Sequence, residues 1–211
     1  MLSQDKLPLI FDLGFEQGLI EKNSFSFYLS DKPDAKGSEL ILGGVDPAYY
    51  TGEFTTHKLM REDYWRITMT NISINGASQT SQYDKMSGII DTGTSVIVGT
   101  KKIVESILKT LGISGQDMDC SKVSSLPDIV FTFDQTDYPL PSSMYIIPVT
   151  QGKQTQCLIG FQAMNLGPAI NPGLIIGDSF LKYYYAEYSY ADSTVSFAKS
   201  KLQSEVKMAD L

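Results

Sequence analysis

The segment from Ile89 to Val98 constrains this chain more than any other part of its sequence. Two large aliphatic residues lead into Asp-Thr-Gly-Thr-Ser at 91–95, and a second apolar run follows. The pattern predicts a buried strand that delivers the Asp91 carboxylate to a tight glycine turn among small hydroxyl side chains. Such a carboxylate suits general acid or base chemistry. Carboxylates that share a proton act in pairs, yet Asp-Thr-Gly occurs only once in the chain.

The composition indicates a packed, acidic protein. With 211 residues, 42% of them hydrophobic and 19% charged, the chain suffices for one large domain or one lobe of a bigger protein. A formal net charge of −7 argues against nucleic acid as a partner. No apolar run is long enough to span a bilayer, so no membrane partner is expected. The N-terminus lacks the basic and apolar regions of a signal peptide, so the protein is either cytosolic or begins outside this sequence.

The chain contains two cysteines, Cys120 and Cys157, and a single histidine, His57. These are too few for a metal cluster, so neither a metal nor a cofactor is expected. A disulfide, which indicates an oxidising compartment, is favoured over two buried free thiols. Asn71 begins an Asn-Ile-Ser sequon and is a candidate glycosylation site, although sequons often arise by chance.

Alternating apolar and polar residues predict a mainly β chain with a few helices. Strands are expected at 65–69 and 129–133, and Asn75-Gly76 predicts a hairpin turn. Residues 37–44 are expected to lead from a turn into the apolar run Leu40-Ile41-Leu42. Residues 185–197 predict a closing hairpin.

Helix signals occur at three places. Apolar residues recur every four positions between Thr100, which is placed to cap a helix, and Gly112, which is placed to end it. A shorter helix that ends near Gly18 is expected within Asp12 to Ile20. The polar tail 199–211 is helix-prone and expected to be loosely held.

Asp91 to Ser95 resembles the second catalytic motif of the pepsin-like aspartic proteases of the cathepsin D and pepsin type. Further segments follow in that family's order, and the resemblance runs from about Leu7 to Ala198. It implies the C-terminal lobe of a bilobal, mainly β acid-protease barrel fold. The segments that carry it are 38–46 (SELILGGVD), 49–52 (YYTG), 64–67 (YWRI), 125–129 (SLPDI), 157–165 (CLIGFQAMN) and 175–181 (IIGDSFL).

The resemblance also implies a division of the chain. Residues 1–30 correspond to the inter-lobe segment and the entry to the central sheet, residues 31–198 to the C-terminal catalytic lobe, and residues 199–211 to a polar tail. The family places one catalytic Asp in each of two similar lobes. The N-terminal lobe, with its own Asp-Thr-Gly motif and flap, has no counterpart in this sequence.

The resemblance assigns roles around Asp91. In the family, two facing carboxylates bind one water and attack a peptide bond with it, and Asp91 matches one of them. Gly93 is expected to donate its amide to the carboxylate, and Thr94 to fix the Asp rotamer through its hydroxyl. Thr92 is expected to brace the turn at the lobe interface. Asp178 is a supporting residue near the cleft floor, placed to cap the short helix at Phe180.

Three apolar residues match positions that line substrate pockets, although each is equally compatible with a core position: Ile89, Met164 and Ile175. Apolar pockets favour extended peptides with bulky hydrophobic residues flanking the cut bond. Cys120 and Cys157 match the disulfide of the family's C-terminal lobe. The family further implies a lysosomal, vacuolar or secreted location.

Two other aspartates, Asp12 and Asp46, are candidates for the missing second carboxylate. Asp12 follows an apolar run and precedes Leu13-Gly14, but no Thr or Ser follows that glycine, and the family has a helical turn here. Asp46 precedes Pro47 and is expected to cap a surface turn. Neither is assigned to catalysis.

Three hypotheses therefore remain. The chain is an acid endopeptidase whose N-terminal half lies outside this sequence, or an inactive single lobe with a binding or structural role. Alternatively, it is a homodimeric protease in which two copies of Asp91 form the pair, as in retroviral proteases, whose chains are much shorter. Residues 7–30 and 185–197 are expected to leave apolar surface that needs a partner lobe or a second copy.

Overall fold

The computed structural model describes residues 10–31, 37–168, 170 and 172–202. Among them no helix has both the length and the apolar character needed to cross a membrane. The helices are α1 Ile10–Glu16, α2 Lys101–Leu111, α3 Ser142–Tyr145 and α4 Asp178–Leu181, with a 3-10 helix at Cys120–Ser125. The strands are β1 Ser24–Tyr28, β2 Glu39–Leu42, β3 Tyr50–Arg61, β4 Arg66–Ile74, β5 Ala77–Ser78, β6 Met86–Ile90, β7 Ile97–Gly99, β8 Asp117–Met118, β9 Ile129–Phe133, β10 Thr136–Leu140, β11 Ile146–Gln151, β12 Gln154–Ile159, β13 Phe161–Ala163, β14 Gly173–Ile176, β15 Tyr184–Ser189 and β16 Thr194–Ser200. The predicted mainly β class with a few short helices is confirmed.

The described residues form two compact units. The first joins the residues up to Ile67 with those from Leu181 onward, and the second is Thr68–Phe180. These limits run across the boundaries expected at 30 and 198, and the division into inter-lobe segment, lobe and tail stays a prediction. The start of the expected tail is strand, because β16 continues to Ser200. Residues 203–211 of that tail lie outside the described residues.

The first unit contains an antiparallel sheet in the order β2-β1-β15-β16-β3. Side chains alternate between the faces of a strand, so the two faces of this sheet differ in chemistry. One face is aromatic, with Phe25 stacked on Tyr188 at a centroid distance of 4.9 Å. The other carries hydroxyls, and the register places Ser24, Ser189 and Thr194 side by side.

In the second unit, β14 lies between β6 and β7, parallel to the former and antiparallel to the latter. Strand β13 pairs with the other side of β7. Strands β6 and β7 follow one another in the chain, yet β14 lies between them in the sheet. Since neighbouring strands lie about 4.8 Å apart, the connection at 91–96 has to span about 10 Å across the end of β14.

The core of the second unit gathers around Phe180. Strand β9 pairs with both β4 and β10. The rings of Phe131, Phe133 and Tyr138 lie 5.8, 5.9 and 6.1 Å from that of Phe180, centroid to centroid. Burying each such side chain contributes about 1.5–3 kcal/mol of favourable transfer free energy. Helix α2 buries its apolar side chains Ile103, Val104 and Ile107.

The helix ends match the predictions only in part. Helix α2 is followed by Gly112 with a left-handed φ of 70°, as predicted. Thr100 occupies the N-cap position, but the expected side-chain cap is wrong, because its hydroxyl makes no cap hydrogen bond. Helix α1 ends at Glu16, two residues before Gly18, near which the helix was expected to end and where a φ of 71° stops the helical backbone.

The predicted strands and the Asn75-Gly76 turn are confirmed. Strand β9 contains the run 129–133, β4 begins at Arg66, one residue into the run 65–69, and β2 contains the apolar run 40–42. Residues 32–36, ahead of β2, lie outside the described residues. Asn75 and Gly76 both have positive φ, 50° and 77°, as a two-residue hairpin of type I′ requires. Strands β15 and β16 form the closing hairpin.

The predicted disulfide is also confirmed. Cys120 and Cys157 are bonded, with their Cα atoms 5.3 Å apart and 37 positions apart in sequence. In the chain-entropy description, a closed loop of this length contributes about 4 kcal/mol to stability. The bond attaches the 3-10 helix to β12, within the small sheet β11-β12-β8.

An ion pair stabilises the turn before β4. Asp63 accepts a charge-assisted hydrogen bond from the Arg66 guanidinium and another from the Tyr64 N–H at 2.8 Å. Partial burial raises the pKa of Asp63. The Arg66 hydrogen bond, the Tyr64 N–H and the charges of Arg66 and Arg61 lower it by more, so the pKa lies below its ordinary value.

The variant Asp63→Asn is expected to lose stability in a pH-dependent way. Because the folded pKa lies below the unfolded one, the ionised carboxylate stabilises the fold above its unfolded pKa, and that contribution is lost as pH falls through the folded pKa. Urea unfolding at pH 6 should show a loss of about 1 kcal/mol, since Asp63 is partly exposed. The loss should vanish toward pH 2. Asp84→Asn, at an exposed position, is the control, and a deficit that stayed constant with pH would contradict the prediction.

Candidate active site

Asp91 lies at the end of β6, where the connection to β7 begins. Its backbone N–H donates to the Ile176 carbonyl at 3.0 Å, which continues the parallel pairing of β6 with β14 by one residue. The five residues of β6 are all buried, whereas Asp91 is half-buried. The buried strand therefore ends in a carboxylate that retains access to solvent.

Both oxygens of the Asp91 carboxylate accept a hydrogen bond from the turn that follows. The Gly93 N–H donates to Oδ1 at 3.0 Å, and the Thr94 hydroxyl donates to Oδ2 at 2.6 Å. A Cβ atom at position 93 would lie 3.2 Å from Oδ1, closer than such contacts ordinarily come. The two donors leave the carboxylate little freedom to rotate.

The connection at 91–96 crosses directly over Gly177, which follows β14. A Cβ atom at position 177 would lie 1.8 Å from the Thr94 carbonyl oxygen and 2.5 Å from that of Val96, so only glycine fits. The Asp178 N–H donates to the same Thr94 oxygen at 2.8 Å. The Thr94 carbonyl is thus held by the Asp178 N–H, while the Thr94 hydroxyl holds the Asp91 carboxylate.

Two of the predicted pocket residues lie beside the carboxylate. Ile89 and Ile175 are direct partners in the β6–β14 pairing, and Ile89, two residues before Asp91, shares its side of the strand. The pairings of β14 with β7 and of β7 with β13 extend this row through Val98 to Gln162. Ile89 and Val98 are 6% and 4% exposed, Ile175 is half-buried and Gln162 is exposed, so Ile175 and Gln162 are the members of this row that solvent reaches most.

Met164 lies apart from that pair, just beyond β13. Its N–H donates to the Gly99 carbonyl at 2.9 Å, and its side chain is 48% exposed. Asp178 begins α4, and the expected cap of that helix by its carboxylate stays a prediction. Thr92 is half-buried in the crossing turn, and its expected bracing of a lobe interface likewise stays a prediction.

The other candidate residues occupy local structural positions. Asp12 lies within α1. Asp46 accepts from the Ala48 N–H at 2.8 Å, which is the predicted turn cap. Asn71 accepts hydroxyl hydrogen bonds from Ser78 and Thr80 through Oδ1, at 2.6 and 3.2 Å, and its glycosylation stays a prediction. Among the residues described, no group of three or more His, Cys, Asp or Glu side chains is arranged to hold a metal ion.

Residues 2–200 match the family described as eukaryotic aspartyl protease. The chain is 40% identical over 205 residues to cathepsin D of Clupea harengus, covering 94% of this chain and 52% of that protein. It is 37% identical over 201 residues to pepsin II-1 of Oryctolagus cuniculus, covering 93% and 50%, and 38% identical over 205 residues to cathepsin D of Rattus norvegicus, covering 94% and 50%.

The chain therefore belongs to the eukaryotic aspartyl protease family, a pepsin-like family of hydrolases. It spans about half the length of the curated relatives it matches. Gly177 and Gln162 were not singled out from the sequence as site residues. These two residues reach the site only because β14 lies between β6 and β7, and no local sequence pattern predicts that strand order.

The crossing predicts that Gly177→Ala is severely destabilising. The added methyl group would overlap the Thr94 carbonyl oxygen, a backbone atom that cannot move without displacing the turn around Asp91. Urea unfolding should show a loss of about 4 kcal/mol or more.

Gly115→Ala is the matched control in the same unit. A Cβ atom there meets Asp117 Oδ1 at an ordinary 3.5 Å. That variant should be neutral or more stable by about 0.4–1 kcal/mol, because alanine restricts the unfolded chain. Equal stability of the two variants would show that the crossing is looser than described.

Proposed function

We propose that this chain supplies one of the two catalytic carboxylates of an aspartic endopeptidase and that Asp91 is that carboxylate. The observation that carries the proposal is the pair of hydrogen bonds from Gly93 and Thr94, which hold both oxygens of a solvent-accessible Asp at the end of a buried strand. Membership of the aspartyl protease family supports the same chemistry.

The reaction needs a second carboxylate facing Asp91. Two carboxyl groups in close proximity do not both ionise easily, so the pair holds one proton, as in the aspartic proteases from which this general rule is drawn. The charged carboxylate takes a proton from a bound water, whose oxygen then bonds to the peptide carbonyl carbon. The other carboxyl gives its proton to the carbonyl oxygen. The tetrahedral intermediate then loses its C–N bond, and the amine nitrogen leaves with a proton.

Gly93 and Thr94 serve this chemistry by orienting Asp91 before the substrate arrives. Fixed donors cost no reorganisation at the moment of reaction, and this preorganisation is a large part of enzymatic rate enhancement. Thr92 and Asp178 act as supporting residues of the same turn. Asp91 is free to hold either role in the pair, because the shared proton belongs to both carboxyls.

The second carboxylate comes from a partner lobe or from a second copy of this chain, since Asp-Thr-Gly occurs once in the sequence. The first unit carries an apolar groove of about 680 Å³ with Leu40 and Leu42 of β2 on one side. These two side chains are 52% and 50% exposed, and Leu13 and Leu19, which also line the groove, are exposed as well. Clustered apolar exposure of this kind marks interaction surfaces, which supports a partner here.

The substrates in this proposal are extended peptides with bulky hydrophobic residues at the cut bond. Ile89 and the half-buried Ile175 beside it, together with the exposed Met164 beyond β13, are the apolar side chains that the proposal assigns to the substrate pockets. The Cys120–Cys157 disulfide indicates an oxidising compartment. With the family membership it supports a lysosomal, vacuolar or secreted location and work at acid pH.

Replacement of Asp91 tests the chemistry. Asp91→Asn keeps the shape of the side chain but can no longer hold or transfer the shared proton. In protein isolated from its own cells with its partners, cleavage of an unfolded protein substrate between pH 3 and 6 should fall by about 10³-fold or more. Thr94→Val removes only the orienting hydroxyl and should cost about 10²-fold, chiefly in kcat.

Ser95→Ala is the control for both variants, because Ser95 is exposed in the same turn and its hydroxyl does not bind Asp91. Its rate should stay near that of the unchanged protein. Cleavage by Asp91→Asn at the unchanged rate would overturn the assignment of Asp91. A folded, fully assembled protein that cleaves nothing at any acid pH would instead identify a binding or structural lobe.

The apolar groove makes a separate prediction about assembly. The double variant Leu40→Ser and Leu42→Ser should weaken association of this chain with its partner lobe or second copy by at least about tenfold, measured by sedimentation velocity. Met60→Ser, at another exposed apolar side chain of the first unit, should leave association unchanged. A specific activity that rises with the concentration of this chain alone identifies a second copy as the partner. Unchanged association of the double variant would exclude the groove.

A further inference from the structure

The hydroxyl face of the first unit's sheet forms a cavity that the proteolytic chemistry does not use. The cavity has a volume of about 520 Å³, within the range of small-molecule sites in proteins. Five hydroxyl side chains from β1, β3, β15 and β16 line it: Ser24, Thr56, Ser189, Thr194 and Ser196.

Strand register builds this lining into two rows. Ser24, Ser189 and Thr194 are successive cross-strand partners in β1, β15 and β16. Two positions along, Ser196 of β16 is the partner of Thr56 in β3. Four of these side chains are buried, Thr56 being the exception. Their positions are therefore set by the sheet and not by mobile surface loops.

Most of the hydroxyls are oriented by neighbours within the cavity wall. Ser24 donates to Glu187 Oε1 at 3.0 Å, and Ser189 donates to Asp192 Oδ2 at 2.9 Å. Thr56 and Ser196 share a hydrogen bond of 2.9 Å. Each carboxylate retains further acceptor sites, and each hydroxyl oxygen can still accept.

Two polar groups of the wall make no hydrogen bond to the described residues. Thr194 is only 6% exposed as a residue, and its hydroxyl keeps its proton and lone pairs available to the cavity. Asn23 Oδ1 is buried and likewise receives no hydrogen bond within the described part of the chain. A buried polar group left without a partner costs about 1–3 kcal/mol, and Asn23 Oδ1 is such a group on this wall. The Thr194 hydroxyl offers a donor and an acceptor to a ligand in the cavity.

The charge of the wall decides what kind of ligand fits. The carboxylates of Glu21, Glu187 and Asp192 outnumber the single ammonium of Lys22, which disfavours an anion. A cation only donates, so it would leave unused the proton of Thr194 and the one proton that the Thr56–Ser196 hydrogen bond leaves over. A ligand that carries hydroxyls both donates and accepts, as this wall does. The ring of Phe15, 39% exposed, adds an apolar surface at the rim.

We propose that this cavity binds a pyranose ring, either of a free sugar or of a sugar residue in a glycan. Ligand hydroxyls donate to the Glu187 and Asp192 carboxylates and accept a hydrogen bond from the Thr194 hydroxyl, while Phe15 covers the C–H face of the ring. The site lies wholly on the first unit and does not depend on the assignment of Asp91.

Titration of the full chain with methyl pyranosides tests the proposal. Methyl glucoside, methyl mannoside and methyl galactoside are added separately while amide chemical shifts are followed by NMR. At least one should bind saturably with a dissociation constant on the order of 1 mM, and with shifts centred on the residues of β1, β15 and β16 that line the cavity. Methylguanidinium, the cation probe, should not bind there.

Thr194→Val keeps the β-branched shape and removes the unpartnered hydroxyl, so it should weaken pyranoside binding by about fivefold or more. Thr55→Val is the matched control, because Thr55 precedes Thr56 on β3 and faces the opposite side of the sheet. It should leave binding unchanged. Ser196→Ala gives a second cavity variant in case Thr194→Val fails to fold.

The outcomes separate the sources of the ligand. Tighter binding of a glycopeptide than of the corresponding methyl pyranoside identifies a glycan, and equal binding identifies the free sugar. The proposal is overturned if no pyranoside shifts the cavity residues, if methylguanidinium binds there instead, or if Thr194→Val and Ser196→Ala bind as tightly as Thr55→Val does.

Discussion

The crossing of residues 91–96 over the end of β14 is the constraint on which the candidate site depends. Because β14 separates β6 from β7, the chain has to pass over Gly177, where no Cβ atom fits. The same passage brings the Thr94 carbonyl onto the Asp178 N–H and leaves the Thr94 hydroxyl beside Asp91. Strand order, a glycine and two hydrogen bonds thus cooperate to orient a single carboxylate.

Local patterns in the sequence predicted those parts of the structure that local physics determines. Strand alternation, the Asn75-Gly76 turn and Gly112 at the end of α2 depend on residues close together in the chain, and all three predictions are confirmed. Thr100 shows where a local rule is insufficient. The residue occupies the N-cap position without making the expected hydrogen bond, because the surrounding structure buries its hydroxyl with no partner among the described residues.

What the sequence could not show depends on pairing between distant segments. Asp91 and its hydroxyl neighbours are visible as a motif, but the role of Gly177 appears only once β14 is placed between β6 and β7. The same holds for the hydroxyl cavity. Serines recur at alternate positions in β1, yet only the register of β15 and β16 sets them beside Thr194. Residue identities can be read directly from the sequence, whereas strand register depends on contacts between segments that are distant in the chain.

The way Asp91 is held has a consequence for how a complete site can form. Its four hydrogen bonds, one with Ile176, one with Gly93 and two with Thr94, all lie within the second unit. In an aspartic protease built with this chain, a partner therefore needs to contribute a second carboxylate at the correct distance, and need not orient the first. The orientation of Asp91 is complete within its own turn, so under the proposed function the demand on association is to bring a second carboxylate to a half-site that is already formed.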